Sequence, residues 1–242
     1  MDATTPPHEL PEEGPQPFFN LPWPVSVLAI LLLGIQLAMF FVPPDMSDTI
    51  MLRYGFVPAI YSDSFLAAHR VNGVNLLDRA LPFVTYIFLH ANWMHVIVNT
   101  VWLIAFGPVV ARRFGSLRFF GFFLVCGIAG AAAHLALNWQ SLNPVIGASA
   151  AISGLMAAAF RLIGTEAAPG IPLLPMAPLA SRRILIWSAV WVVLNIVAGV
   201  TGIGAGPGLQ LVAWEAHLGG FAAGLLLSGL FDPVNRLKVE AL

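Results

Sequence analysis

A serine, two histidines and an asparagine, far apart in a 242-residue chain, have the types and settings for nucleophilic chemistry. Ser149 lies in the run Gly147-Ala-Ser149-Ala150-Ala-Ile-Ser153-Gly154, tiny residues that open an apolar segment reaching Phe160. His217 lies in Ala216-His217-Leu-Gly-Gly220-Phe-Ala-Ala-Gly224, and His95 precedes Asn99 by four residues. A serine hydroxyl becomes a useful nucleophile when an adjacent imidazole takes its proton. The oxyanion formed on attack then needs prearranged hydrogen-bond donors. On a helix His95 and Asn99 point the same way, and both can donate, as can the Ser149 amide. Alone, a small-residue run with a serine is more often a helix-packing device than a catalytic one. The elements that carry these residues decide between the two.

The composition is that of an integral membrane protein. It is 58% hydrophobic and 10% charged, with mean hydropathy +0.83, against about 25% charged in an ordinary soluble domain. A net charge of −1 gives no basis for a nucleic-acid partner. The lone Cys126, inside an apolar run, forms no internal disulfide and reads as a small core residue. Six apolar segments are expected to span the bilayer: Val25–Val42, Trp93–Val110, Phe119–Leu137, Val145–Ile163, Ile184–Val200 and Leu211–Phe231. Each approaches the roughly 20 residues that a crossing needs. The fold class is therefore all-α, a six-transmembrane-helix bundle.

Six spans put both termini on one side with the connections between spans 2 and 3 and between spans 4 and 5. That side carries Arg112, Arg113, Arg118, Arg161, Arg182, Arg183, Arg236 and Lys238; the other carries only Arg53, Arg70 and Arg79. The positive-inside rule makes the first side cytoplasmic, with the site opening to the outer side. Spans 2, 4 and 6 then all run inward, so His95, Ser149 and His217, each near the start of its span, share one depth. Ionisable residues at such depths are usually functional.

Around this bundle, residues 1–24 hold seven prolines (Pro6, Pro7, Pro11, Pro15, Pro17, Pro22, Pro24) and four acids without Lys or Arg, and read as a disordered cytoplasmic tail. They lack the basic start and short apolar core of a signal peptide. Residues 25–231 form the membrane domain and 232–242 a short cytoplasmic tail. The connection over residues 43–92 is long and mixes aromatic with polar residues, which suggests short helices partly inserted in the membrane interface. The connection Thr201–Gly208 is rich in glycine and is expected to be mobile.

Small residues recur along span 4 (Gly147, Ala151, Gly154, Ala158) and span 6 (Ala216, Gly220, Gly224, Ser228). Facing stripes of this kind let two backbones approach closely, which would bring Ser149 within reach of His217. No acidic third member is evident. Glu215 precedes His217 by two positions and would face elsewhere, so a Ser–His dyad is the better reading. His90 is expected to shape or hydrate the cavity, His134 to be structural, Asn195 to bridge helices and Ser153 to pack.

Taken together, His90-Ala-Asn-Trp-Met-His95-Val-Ile-Val-Asn99, Gly147-Ala-Ser149-Ala and Ala216-His217-Leu-Gly-Gly220-Phe-Ala-Ala-Gly224 resemble the rhomboid intramembrane serine proteases of bacterial type, in that family's order on spans 2, 4 and 6. The resemblance covers about Val25 to Phe231. It implies Ser149 as nucleophile and His217 as general base. It also implies His95, Asn99 and the Ser149 amide as the oxyanion hole. His90, Gly147 and Ala150 would border the cavity, and Gly154, Gly220 and Gly224 would pack the helices. The first loop would lie in the outer leaflet, and the connection between spans 5 and 6 would cap a water-filled site. Two positions differ from many members. Ala150 follows the serine where glycine is common, and Leu81-Pro82 replace a Trp-Arg pair ahead of Thr85.

Other chemistries lack their residues. The spans hold no Asp for an aspartyl protease, and the chain has no His-Glu-x-x-His zinc helix. Nor do acids lie near the midplane, where a proton-coupled transporter would need them. The expected activity is endopeptidase cleavage in or near transmembrane segments of protein substrates. It would run within the lipid bilayer of a bacterial plasma membrane, without metal or organic cofactor. The alternative is an inactive relative that binds membrane clients. No sequence feature specifies an oligomeric state.

Overall fold

The computed structural model describes residues 21–165, 174–201 and 213–234. The Pro-rich tail (apart from residues 21–24), most of the Thr201–Gly208 connection and most of the C-terminal tail lie outside the described residues. Ten α-helices follow one another among the described residues. They are α1 (Trp23–Phe40), α2 (Pro44–Tyr54), α3 (Asp63–Ala68), α4 (Leu76–Ala80), α5 (Pro82–Thr85), α6 (Trp93–Phe114), α7 (Ser116–Leu137), α8 (Ser149–Leu162), α9 (Arg182–Thr201) and α10 (Trp214–Phe231). Among the described residues there is no strand, only an isolated antiparallel bridge between Phe56 and Val145.

Local chemistry sets the helix ends. Prolines open α1, α2 and α5, where a missing N–H is harmless. The Asn92 side chain caps α6 by accepting from the His95 amide at 2.9 Å. Gly115, at φ +76°, turns the chain from α6 into α7. Among the described residues four helices, α1, α6, α7 and α9, are long and apolar enough to cross a membrane. The other two large helices are less suited on length and composition alone. The α8 helix has 14 residues, and the 18 residues of α10 include Glu215, His217 and four glycines. These two carry the serine and the histidine.

The fourth apolar segment departs from expectation at its start. It was expected to be helical from Val145, but residues 145–147 run in extended or turn conformation and α8 begins at Ser149. Val145 is held in the bridge to Phe56 by two backbone hydrogen bonds, 2.9 and 2.8 Å long. The Gly147 amide donates to Tyr86 O at 2.9 Å. A 14-residue helix is about 21 Å long, short of the roughly 30 Å hydrocarbon core. Twelve of its 14 residues are buried, so α8 is the central element.

Around it, α7, α8 and α10 approach until backbone meets backbone. A Cβ on Gly220 would sit 2.0 Å from Ala150 O, and one on Gly224 would sit 2.4 Å from Gly154 O. A Cβ on Gly154 would meet Cys126 Sγ at 2.3 Å. Only glycine permits these crossings. The α6 helix packs on the other side of α8, and α1 on α6. By contrast, α9 has only Ile184, Asn195 and Gly199 buried.

The segment between α1 and α6 is a folded cap. Phe56 stacks on Tyr61 with centroids 5.2 Å apart and meets Phe83 at 4.8 Å. Tyr86 OH donates to Gly127 O at 2.7 Å, tying the cap to α7. Tyr61 OH donates to Arg79 O at 2.7 Å, and Arg79 pairs with Asp63. Thr85 Oγ1 donates to Tyr54 O at 2.6 Å. With Leu81-Pro82 in place of the Trp-Arg pair, an aromatic cluster and main-chain bonds do the anchoring.

Candidate active site

Because α8 starts inside the bundle, its first turn presents free N–H groups and the positive end of its dipole there. Ser149 is its first helical residue and is half-buried. The α10 helix crosses at Ala150–Gly220, which puts His217, three residues earlier on α10, beside Ser149. Ser149 Oγ and His217 Nε2 are 2.7 Å apart. Of the expected residues, these two are in direct contact. Nonhelical backbone inside a membrane protein must be paired or line a wet cavity, and here it leads directly to the serine.

His95 and Asn99 border the same turn from α6. A Cβ on Gly147 would lie 2.8 Å from His95 Nε2 and 3.8 Å from Asn99 Nδ2. Gly147 has φ +118°, a conformation that a side chain disfavours. Both its space and its backbone therefore require glycine. The Ala91 amide donates to His95 Nδ1 at 3.5 Å, which leaves the ring proton on Nε2, facing Gly147. Asn99 Nδ2 donates to His95 O at 2.9 Å and keeps a second N–H. Two side-chain donors thus flank the approach to the nucleophile, beside the Ser149 amide.

His90 is fully buried, with its ring 5.0 Å from that of His95, and its Nε2 accepts from the Ala148 amide at 3.5 Å. Burial, reinforced by the neighbouring His95, depresses its pKa to about 3. A neutral His90 thus supports the backbone one residue ahead of Ser149. Ala150 is 1% exposed, and a Cβ on Gly130 would stand 2.5 Å from the Ala150 Cβ. Its methyl occupies space that Gly130 of α7 vacates, so it packs between helices instead of bordering a cavity as expected. Gly154, Gly220 and Gly224 sit at the helix crossings. Ser153 Oγ donates to Ser149 O at 2.7 Å.

Comparison with known sequences identifies a family. The Rhomboid domain family matches residues 78–232. The chain belongs to the rhomboid family. It is 32% identical over 163 residues to Rhomboid-like protein 11, chloroplastic, of Arabidopsis thaliana, covering 65% of this chain and 55% of that protein. It is 27% identical over 148 residues to RHOMBOID-like protein 1 of the same plant, covering 61% of this chain and 33% of the relative. The matched part of this rhomboid spans between one third and just over half of those relatives' length. The rhomboid fold is a helical membrane bundle, and this chain is an integral membrane protein.

Two polar contacts in this rhomboid were not anticipated. Asn195 of α9, expected only to bridge helices, does so onto the candidate base, its Oδ1 lying 2.9 Å from His217 Nδ1. Glu215 faces α7, where its carboxylate is 3.5 Å from His134 Nδ1. The sequence did carry a signal for Asn195. It is the lone amide in an apolar span, near the end that the proposed topology places outside.

Proposed function

We propose that this rhomboid is an intramembrane serine endopeptidase that cleaves peptide bonds in or near transmembrane segments of membrane-protein substrates. The observation that carries the reading is the 2.7 Å contact between Ser149 Oγ and His217 Nε2 at a buried helix N-terminus. Ser149 Oγ attacks the scissile carbonyl while His217 Nε2 takes its proton. The oxyanion accepts from the Ser149 amide, His95 Nε2–H and Asn99 Nδ2–H. His217 then returns the proton to the leaving amine, and water repeats the cycle on the acyl-enzyme. No metal or organic cofactor takes part.

All six large helices cross the bilayer in this reading. The arginine-rich ends face the cytoplasm of a bacterial cell, both termini lie there, and the site opens outward. A helical substrate keeps its amides shielded and must unwind locally before attack. Segments with Gly, Ala, Ser or Pro near their outer end are therefore cut in preference to leucine-rich ones.

The test needs no substrate. Purified protein is labelled with a fluorophosphonate probe beside Ser149→Ala and His217→Ala. Labelling lost in both variants supports the reading. Labelling that survives in Ser149→Ala refutes the assigned nucleophile, and folded wild type that never labels refutes the enzyme and favours a client-binding rhomboid-like protein.

A further inference from the structure

The imidazole of His217 is held from both sides. Nε2 faces Ser149 Oγ at 2.7 Å, and Nδ1 faces Asn195 Oδ1 at 2.9 Å. The Asn195 amide is itself fixed, because its Nδ2 donates to Trp191 O at 2.9 Å. A main-chain carbonyl only accepts, so the NH₂ of Asn195 must face Trp191 and its oxygen must face His217. An amide oxygen also only accepts, so Nδ1 carries the ring proton. The lone pair of Nε2 is thereby aimed at the Ser149 hydroxyl, the tautomer a general base needs. In serine proteases with a Ser-His-Asp triad, replacing the Asp with Asn costs about 10⁴-fold, because the amide then stabilises the wrong tautomer. Here the Trp191 carbonyl blocks that alternative.

The placement of Asn195 argues against a chance contact. It is 6% exposed on a helix that otherwise buries only Ile184 and Gly199. The faces of α9 and α10 meet in antiparallel register at steps of three or four residues. Trp191 lies against Phe221 with centroids 5.9 Å apart, Asn195 against His217, and Gly199 against Trp214. Trp187 extends the seam to Phe160 at 5.9 Å. The polar pair is thus enclosed by aromatic contact on both sides, where an unmade hydrogen bond would be unfavourable.

We propose that Asn195 is the positioning residue of the base: it selects the Nδ1–H tautomer of His217 and fixes the ring plane, so that a Ser–His dyad works with an uncharged third member supplied by α9. This rests on the serine-hydrolase reading above. One consequence is that the base is oriented only while α9 is seated against α10, and seating of that helix becomes a condition for turnover.

The test uses full-length protein in liposomes. Fluorophosphonate labelling rates, and kcat and KM on a transmembrane peptide with a Gly-Ala pair, are followed against pH for wild type, Asn195→Leu and Asn195→Asp. Asn195→Leu keeps shape without an acceptor and should lower labelling and kcat about 100-fold with KM unchanged. Asn195→Asp restores an acceptor and adds a charge that favours the imidazolium. It should recover most of the rate lost in Asn195→Leu, which a packing role would not do, and move the acid limb of the profile to higher pH. If Asn195→Leu does not fold, the Asn195→Asp limb decides alone. Wild-type rates in Asn195→Leu, or an unmoved limb in Asn195→Asp, would overturn the proposal while leaving the enzyme reading intact. Wild type that never labels would overturn both.

Discussion

The same three helices carry polar clusters at both of their ends, and the two clusters are built on opposite principles. At one end α6 supplies His95 and Asn99, α8 supplies Ser149 and α10 supplies His217, none of which carries a fixed charge. At the other end α6 supplies Arg113 and α8 supplies Arg161, while α10 supplies Ser228 and, just after its last turn, Asp232. Arg113 Nε and Nη2 donate to the two Asp232 carboxylate oxygens at 2.8 and 2.9 Å, and Asp232 is fully buried. Arg161 Nη1 donates to Ser228 Oγ at 2.7 Å and to Leu225 O at 2.8 Å. A charged, two-pronged pair in a dry setting locks its partners in place. In the neutral Ser–His–Asn chain no ion pair has to be broken before His217 Nε2 can take a proton from Ser149. One end is a clasp and the other the candidate active site.

The largest effect should come from the working end. His217→Ala is expected to slow labelling by about 10⁴-fold, with only a modest fall in melting temperature from the lost hydrogen bond to Asn195. A large fall in melting temperature would mean that the two ends are not separable.

The clasp should show the reverse. Arg113→Ala leaves Asp232 buried and unpaired, which destabilises by about 3–5 kcal/mol. The apolar pair Arg113→Met with Asp232→Leu should recover most of that loss and keep the labelling rate per folded molecule. If the double variant is as unstable as the single, the pair is needed for more than charge neutralisation.

Between the ends lies the seam that sets the distance from Ser149 to His217. A methyl on Gly220 would fall 2.0 Å from Ala150 O, so Gly220→Ala must spread α8 from α10. Overpacking of this kind costs about 1–3 kcal/mol, and labelling should fall well beyond what stability explains. Gly199→Leu tests the α9 seam in the same way, since its Cβ would meet the Trp214 ring at 2.2 Å. Full labelling in both would show that the dyad tolerates a looser bundle than its geometry suggests.

Much of this arrangement could be read from residue types. Apolar runs located every large helix, because a bilayer imposes its thickness on the sequence. Expected shared depth singled out Ser149, His217, His95 and Asn99, and the structure sets Ser149 beside His217. The small-residue stripes named the close pair of helices but not its contacts. Gly220 meets Ala150, and Ala151 instead lies near Gly127 of α7. What stayed hidden has a common physical origin. An apolar helix in lipid has no hydrophobic face to mark its inner side, so Asn195 stood out in α9 as a lone amide while its partner, His217, did not. Arg113 and Arg161 counted as topological charges, and their burial against Asp232 and Ser228 depends on contacts far apart in sequence. The start of α8 was misjudged for the same reason. Only the distant Phe56 shows that Val145 belongs to an extended bridge.

The smallest predicted effect sharpens the comparison by pH. His90, outside the spans, is neutral at the working end and accepts from the Ala148 amide. Burial and the nearby His95 hold its pKa at about 3 in the folded protein, whereas an unfolded histidine titrates near 6.5. Between those values the unfolded chain binds more protons than the folded one, so stability rises with pH across this window and falls on acidification. From pH 6.5 to pH 5 the loss amounts to about 2 kcal/mol. His90→Gln keeps an acceptor for Ala148 without the titration, so its melting temperature should fall less than that of wild type over the same range. Parallel melting curves for wild type and His90→Gln would mean that His90 takes up its proton without disturbing the turn that presents Ser149.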